Sequence, residues 1–362
     1  SPAGNLSAPR AGHTATLLPD GHVVVAGGTT PGTTEVVKGA EVYDRRLAGW
    51  SGGGGMLAGR AHHTTTLLPD GGLLVVGGEG SGGSLASVER FDPATRTWQT
   101  ADRLTTDRSR HTTTLLVDGR LLVAGGRTRR GDALAGVHLY DASASEWQQA
   151  GEMSRARIDH SATLLADGRV LVSGGEDETF LLLRAADVFD PTSDAWSATG
   201  RLTEPRAGQT ATLLPDGRVL VAGGDGDEGR QLATTEMFDP ANGTFAASGS
   251  MAVGRRRHSA TLLEDGRVLV AGGFTSGRDP TRTEIYDPAT GRWTSTGSLA
   301  VPRNKHTASR LPDGRVLVAG GESGANVVAT AEVFDPASGA WTAVAPMSTA
   351  RWGHSATLLP DG

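Results

Sequence analysis

The chain has 362 residues with no cysteine, 34 basic against 40 acidic side chains and a formal net charge of -6. That balance excludes the concentrated basic face that DNA or RNA demands, and the missing cysteine excludes disulfides, thiolate metal ligands and a cysteine nucleophile. No run of about 18 apolar residues exists, so no membrane insertion is expected, and Ser1-Pro2-Ala3-Gly4-Asn5 has no charged or apolar signal region.

In chain order the elements are one pattern written seven times and begun an eighth. An Arg-x-x-His or Arg-x-x-Gln opening starts at Arg10, Arg60, Arg108, Arg157, Arg206, Arg255 and Arg303, with an incomplete copy at Arg351, a period of 48 to 50 residues. After the opening comes a first strand, in which His13, Ala15 and Leu17 alternate with Thr14, Thr16 and Leu18. Asp20-Gly21 and its equivalents follow, and the pair predicts a tight hairpin in which both central residues take positive φ. The second strand is a continuous aliphatic run such as Val219, Leu220 and Val221, too apolar to be solvated on either face. A Gly-Gly doublet ends it, where backbones approach closely or φ is unusual. The third strand carries Glu41 and Tyr43 or their equivalents, and a turn leads to a fourth strand bearing Trp50, Trp98 or another Trp, with Phe245 in the fifth copy.

From the opening Arg to the first Gly of the doublet is always 17 positions, and from the Glu-like residue to the Trp-like one always nine. All length variation falls between them, where 10 to 12 residues intervene. The glycine doublet, the aromatic beyond it and the Trp seven residues later together resemble the kelch repeat. The resemblance covers essentially the whole chain and implies an all-β, seven-bladed β-propeller of four-stranded antiparallel blades. Blades are expected at about 10–59, 60–107, 108–156, 157–205, 206–254, 255–302 and 303–350. Residues 351–362 read as the incomplete first strand of an eighth repeat, and the abrupt ends as those of a window from a longer chain.

The repeat also supplies candidates for chemistry. Seven openings carry a histidine (His13, His63, His111, His160, His258, His306 and His354) and one carries Gln209. A metal needs three or four ligands at roughly 2.0–2.2 Å, which equivalent positions on separate blades do not offer, so these side chains read as structural hydrogen-bonding groups. The opening arginines and the Glu-like residues (Glu41, Glu89, Glu236, Glu284 and Glu332, with His138 and Asp187 substituting) are expected to pair and lock blades together. Galactose oxidase is similar in its kelch propeller, but its copper site uses a tyrosine cross-linked to cysteine, absent here. Plant specifier proteins hold iron through Glu-x-x-x-Asp-x-x-x-His, and the nearest match, Glu152, Ala156 and His160, lacks the middle carboxylate. No metal and no cofactor are expected.

Function is therefore expected where the repeat varies. The pair inside each opening differs, and Arg110, Asp159, Arg257 and Lys305 are expected to rim the channel mouth with the loops after the doublets. Those loops bring Arg127, Arg129 and Arg130 in the third copy, Glu176 and Asp177 in the fourth, and Asp225 and Asp227 in the fifth. The segment Phe180-Leu181-Leu182-Leu183 reads as an extension of its strand into the sheet, or, if exposed, as a partner surface. The ligand-binding set is thus Arg110, Asp159, Arg257, Lys305, Arg127, Glu176, Asp177, Asp225 and Asp227, in a non-catalytic, monomeric module that holds a protein or carbohydrate partner. The alternatives are a hydrolase, epimerase or lyase using Asp159, His160 and Arg257, and a structural spacer within a larger secreted or surface protein. Only Lys38 and Lys305 are lysine among the basic residues, which with the glycine content suggests a bacterial source, and an extracellular or cell-surface setting is expected.

Overall fold

The computed structural model describes residues 4–276 and 280–362; Ser1, Pro2 and Ala3 of the amino-terminal stretch lie outside the described residues. Every repeat becomes one antiparallel sheet with its strands in chain order. In the first copy these are Thr14–Leu17, Val23–Ala26, Gly39–Asp44 and Gly49–Gly55, and in the fifth Thr210–Leu213, Val219–Ala222, Thr234–Asp239 and Thr244–Ser250. The second sheet gains a short extra strand, Glu79–Gly80, and a two-stranded ribbon pairs Glu322–Ser323 with Asn326–Val327. Helix among the described residues is limited to a single 3-10 turn at Asp227–Gly229, and no helix is long and apolar enough to cross a membrane. The fold is the seven-bladed propeller of four-stranded antiparallel blades. It comprises two compact units, one of Ser1–Ile158 with Pro191–Trp196 and Leu359–Asp361, the other of Asp159–Asp190 and Ser197–Leu358 with Gly362.

The aliphatic second strands explain the core. All four residues of Val23–Ala26, Leu73–Val76 and Val219–Ala222 are buried. Val24 and Ala26 pack with Leu73 and Val75 of the next sheet, whereas Leu74 and Val76 turn the other way, to Leu121 and Val123. Both faces of each second strand are thus covered, which is why its sequence does not alternate. Each such side chain taken from water contributes about 1.5–3 kcal/mol. At the outer side Tyr43 stands opposite Trp50 with ring centroids 5.3 Å apart, and Phe238 opposite Phe245 at 4.9 Å, so the seven-residue spacing is the register of a cross-strand aromatic pair. The Trp98 ring N–H donates to the Gly53 carbonyl of the preceding sheet at 2.9 Å.

The hairpin after the first strand differs from expectation. Gly21 alone takes positive φ, at 87°, while Asp20 stays in the ordinary region. Gly21 N–H donates to the Leu18 carbonyl and Leu18 N–H to that of His22, so the turn is longer than two residues. The Asp serves instead as a hydrogen-bond acceptor. Its Oδ1 takes the N–H two residues on, from His22 at 3.0 Å in the first copy and from Arg218 at 3.0 Å in the fifth. The pair reads as a capped turn with a glycine bulge.

Six opening arginines, Arg60, Arg108, Arg157, Arg206, Arg255 and Arg303, are the largest fully buried side chains among the described residues, with no exposure at all. Their expected pairing is present but lies within a sheet. Arg206 Nη2 donates to Glu236 Oε1 at 2.7 Å, and Arg206 Nη1 reaches the carbonyls of Gly223 and Thr234 at 2.9 and 3.1 Å. Glu236 Oε2 in turn accepts the Thr203 N–H at 2.7 Å, on the linker arriving from the preceding sheet. Arg255 with Glu284 and Arg303 with Glu332 repeat this at 2.8 Å. The third copy breaks the pattern. There Arg108 Nη2 meets His138 Nδ1 at 2.9 Å, and His138 Nε2 meets Thr105 Oγ1 at 2.8 Å. Burial pushes Arg108 down to about 10, and burial beside Arg108 pushes His138 down to about 4. A neutral imidazole accepts the guanidinium's hydrogen bond but cannot neutralise it.

The opening histidines join neighbouring sheets. His63 Nε2 meets Thr14 Oγ1 at 3.0 Å, His258 meets Thr210 at 3.0 Å, and His306 meets Ser259 at 2.9 Å. Gln209 takes the same place, donating through Nε2 to Ser161 Oγ at 3.3 Å and to the Ser173 carbonyl at 2.8 Å. Burial, reinforced by the adjacent arginine, holds His63, His258 and His306 down to about 3.

The doublet is where sheets touch backbone to backbone. Gly224 N–H donates to the Arg255 carbonyl of the next sheet at 2.9 Å, and Gly28, Gly78, Gly126, Gly175, Gly273 and Gly321 repeat the bond to the following opening. Residues 351–362 form no strand. They still make opening contacts with the seventh sheet, Gly321 N–H to the Arg351 carbonyl at 2.8 Å and Thr307 Oγ1 to His354 Nε2 at 3.2 Å.

These contacts give three expected outcomes. A Cβ at Gly223 would stand 2.6 Å from the Arg255 carbonyl oxygen, with φ at +63°, so Gly223→Val is expected to destabilise by more than about 3 kcal/mol; a thermal melt with an unchanged midpoint would refute it. His138→Glu supplies the missing carboxylate to Arg108 and is expected to raise stability by roughly 1–3 kcal/mol, read from denaturant unfolding. For His63, His258 and His306 the folded state disfavours the proton, so only the unfolded chain binds it as pH falls below 6.5. Stability should be complete above that value and fall towards about pH 3 by up to about 1.4 kcal/mol per pH unit for each histidine. His306→Gln, which copies the Gln209 arrangement, should flatten the slope of melting temperature against pH.

Candidate functional site

The openings and the loops after the doublets emerge at one end of every sheet, and the Asp-Gly turns at the other, because the strands run antiparallel in chain order. The first variable residue of an opening pairs with the residue directly after the doublet: Ala11 with Thr29, Ser109 with Arg127, Ala207 with Asp225, Arg256 with Phe274 and Asn304 with Glu322. This bridge anchors the base of the loop in these repeats. The second variable residue always has left-handed backbone. Its φ is +65° at Gly12, +51° at His62, +55° at Arg110, +52° at Asp159, +62° at Gly208, +52° at Arg257, +51° at Lys305 and +57° at Gly353. Glycine accepts that conformation freely, whereas a residue with a Cβ pays roughly 1–2 kcal/mol. Backbone bonds hold the geometry, with His62 N–H donating to the Gly12 carbonyl, Gly208 N–H to that of Asp159 and Gly353 N–H to that of Lys305, each at 3.1 Å.

The expected binding residues fall at distinct places in this frame. Arg110 and Arg257 are exposed, and Asp159 is half-buried. Lys305 is held between Glu322, 3.0 Å from its Nζ, and the ring of Trp352, 4.1 Å away; the repeat pattern gives no sign of Trp352, which stands in the incomplete copy. In the first unit Arg127 is half-buried at its bridge position, and the nearby Arg129 N–H donates to Asp107 Oδ2 at 2.6 Å. In the second unit Glu176, Asp225 and Asp227 line one cleft of about 400 Å3, together with Phe180, Leu181 and Arg256. Asp177 stands apart from them. Its Oδ1 accepts the Thr179 N–H and hydroxyl at 2.9 and 2.7 Å and the Leu181 N–H at 3.1 Å, tying up its own loop.

The segment from Phe180 to Leu183 does not extend its strand as a whole. Leu182 bridges back to Glu176 and Leu183 is buried, but Phe180 and Leu181 are 65% and 60% exposed at the loop tip. The reason is the Asp177 turn, which carries Phe180 N–H to the Asp177 carbonyl and puts Phe180 at φ +65°. Arg256, rather than its neighbour Arg257, faces the cleft: its guanidinium donates to Asp225 Oδ2 at 2.9 Å and lies 5.0 Å from the Phe274 ring centroid. The two differ because the first variable position bridges to the loop and the second does not. Among the described residues no group of three or more His, Cys, Asp or Glu is placed to hold a metal ion.

The profile of the KLHDC2/KLHL20/DRC7 Kelch-repeats domain matches residues 1–175 and 187–362. No curated protein sequence matches. Among solved structures the chain is similar to a novel fungal alcohol oxidase with catalytic diversity among the AA5 family, in complex with copper, at 20% identity and a TM-score of 0.62, over 80% of this chain. It spans 66% of that oxidase's length. It is also similar to YjhT, at 18% identity and a TM-score of 0.56, over 82% of this chain and 99% of that one. At these identities the two likenesses show the fold, whereas the profile extends over nearly every residue: the chain belongs to the Kelch-repeat family.

Proposed function

We propose that this Kelch propeller is a non-catalytic interaction module that holds a protein or carbohydrate partner by its loop-bearing end. One observation supports the reading above others. The second variable position of the openings has left-handed backbone in all eight copies, yet five of them carry His62, Arg110, Asp159, Arg257 or Lys305 instead of glycine. Backbone strain of this kind persists where a side chain is needed for something other than folding. Those side chains are polar and differ from repeat to repeat, as recognition of an asymmetric partner requires. The repeated Arg, Glu and His residues, in contrast, hold sheets and linkers together in the same way from repeat to repeat, so they cannot tell one partner orientation from another. Arg110, Asp159, Arg257 and Lys305, with Arg127, Glu176, Asp177, Asp225 and Asp227 in or beside the loops, form the proposed binding set, Asp177 by shaping its loop.

The test separates folding from binding. In a variant carrying Arg110→Gly and Arg257→Gly, two strained residues are relieved, so stability is expected to hold or rise by up to about 1 kcal/mol. Binding on peptide and glycan arrays is expected to disappear. Array binding that survives this variant but is lost when Val117, exposed at the Asp-Gly turn end, is changed to Asp would put the partner on the opposite end.

A further inference from the structure

The cleft between the loops of the fourth and fifth sheets has two unlike walls. One is apolar: Phe180 and Leu181 project from a turn that the Asp177 carboxylate holds shut, with Phe180 in a conformation that a bulky residue rarely adopts. The other is acidic, with Glu176, Asp225, Asp227 and Glu228 on the lining. Among the described residues the lining's single cation is Arg256, already engaged by Asp225 and Phe274. Four carboxylates therefore face the cleft against one guanidinium. Glu228 also carries left-handed backbone, at φ +60°.

We propose that this cleft receives an arginine- or lysine-bearing extended segment of a partner protein; the proposal rests on the interaction-module reading and names the partner's chemistry. A volume of about 400 Å3 suits one or two side chains rather than a folded surface. A long basic side chain matches both walls at once. Its hydrocarbon stem lies along Phe180 and Leu181, its charge approaches the Phe180 ring, and its head reaches Asp227 and Glu228. Arginine fits best, because its planar fork pairs a carboxylate through two parallel bonds. An acidic or uncharged segment would leave the carboxylates desolvated and unmatched.

The probe is a phage-displayed library of random short peptides panned against the whole chain, followed by fluorescence anisotropy with synthetic copies of the enriched peptides. Enriched sequences are expected to place Arg or Lys beside Leu or Phe and to bind more weakly as salt rises. The double variant D227N and E228Q should weaken them by about tenfold or more. Phe180→Gly should do the same without lowering the melting temperature, since it removes left-handed strain, while Val117→Ser at the far end should change nothing. Enrichment of acidic or uncharged sequences, or basic peptides indifferent to the cleft variants but lost on Arg110→Gly and Arg257→Gly, would overturn this proposal and leave the interaction module standing. Self-association of the whole chain that the double variant abolishes would seat a second copy in the cleft and equally overturn it. No enrichment at all, with glycan arrays also silent, would overturn both.

Discussion

One buried guanidinium per repeat organises the sheet around it. In the fifth repeat, Arg206 reaches the carbonyl that ends the second strand, the carbonyl that begins the third, and the carboxylate of Glu236, which takes an N–H from the linker. These groups come from three separate stretches of chain. Burying a charge without partners costs many kcal/mol; here the charge is surrounded by acceptors. The constant 17-residue interval from Arg to Gly follows directly, because a one-residue change would move the glycine carbonyl out of reach.

That constraint also explains where variation is permitted. The guanidinium, the carboxylate and the glycine carbonyls fix the beginning of each loop and the strand that follows, but not what lies between. Loop length drifts there by two residues, and charge drifts with it, from Arg127, Arg129 and Arg130 in one repeat to Glu176 and Asp177 in the next. The third repeat shows the tolerance of the clamp: His138 keeps the hydrogen bond to Arg108 but surrenders the counter-charge. The same division runs through the openings, where the first and last residues serve the sheets, the second bridges to the loop, and the third varies on left-handed backbone.

Most of the fold was legible in the sequence because a repeat reports its own geometry several times over. The four-stranded order followed from the repeat, and Gln209 standing where histidine usually stands was a sound clue that a hydrogen bond was wanted. Local backbone was less legible. Asp20 was expected at positive φ and instead caps a longer turn, because a side-chain acceptor and a left-handed residue favour the same dipeptide. At the site, the residues were named but their grouping was not: which of Arg256 and Arg257 turns to a cleft depends on the twist of a single bridge, and the exposure of Phe180 depends on a turn closed by Asp177. Neither leaves a periodic trace.

The bond between each doublet glycine and the following opening carries one more implication. From Gly28 with Arg60 to Gly321 with Arg351, every junction uses the same donor and the same backbone acceptor, so nothing in it identifies which repeat is being joined to which. For this bond, neighbour order is written in covalent continuity alone. Whole repeats could therefore be duplicated, deleted or exchanged between such chains without redesigning that bond, and the charged loops would travel with them as interchangeable cassettes. Diversity of binding surfaces would then arise by recombination at the conserved arginine as readily as by point substitution.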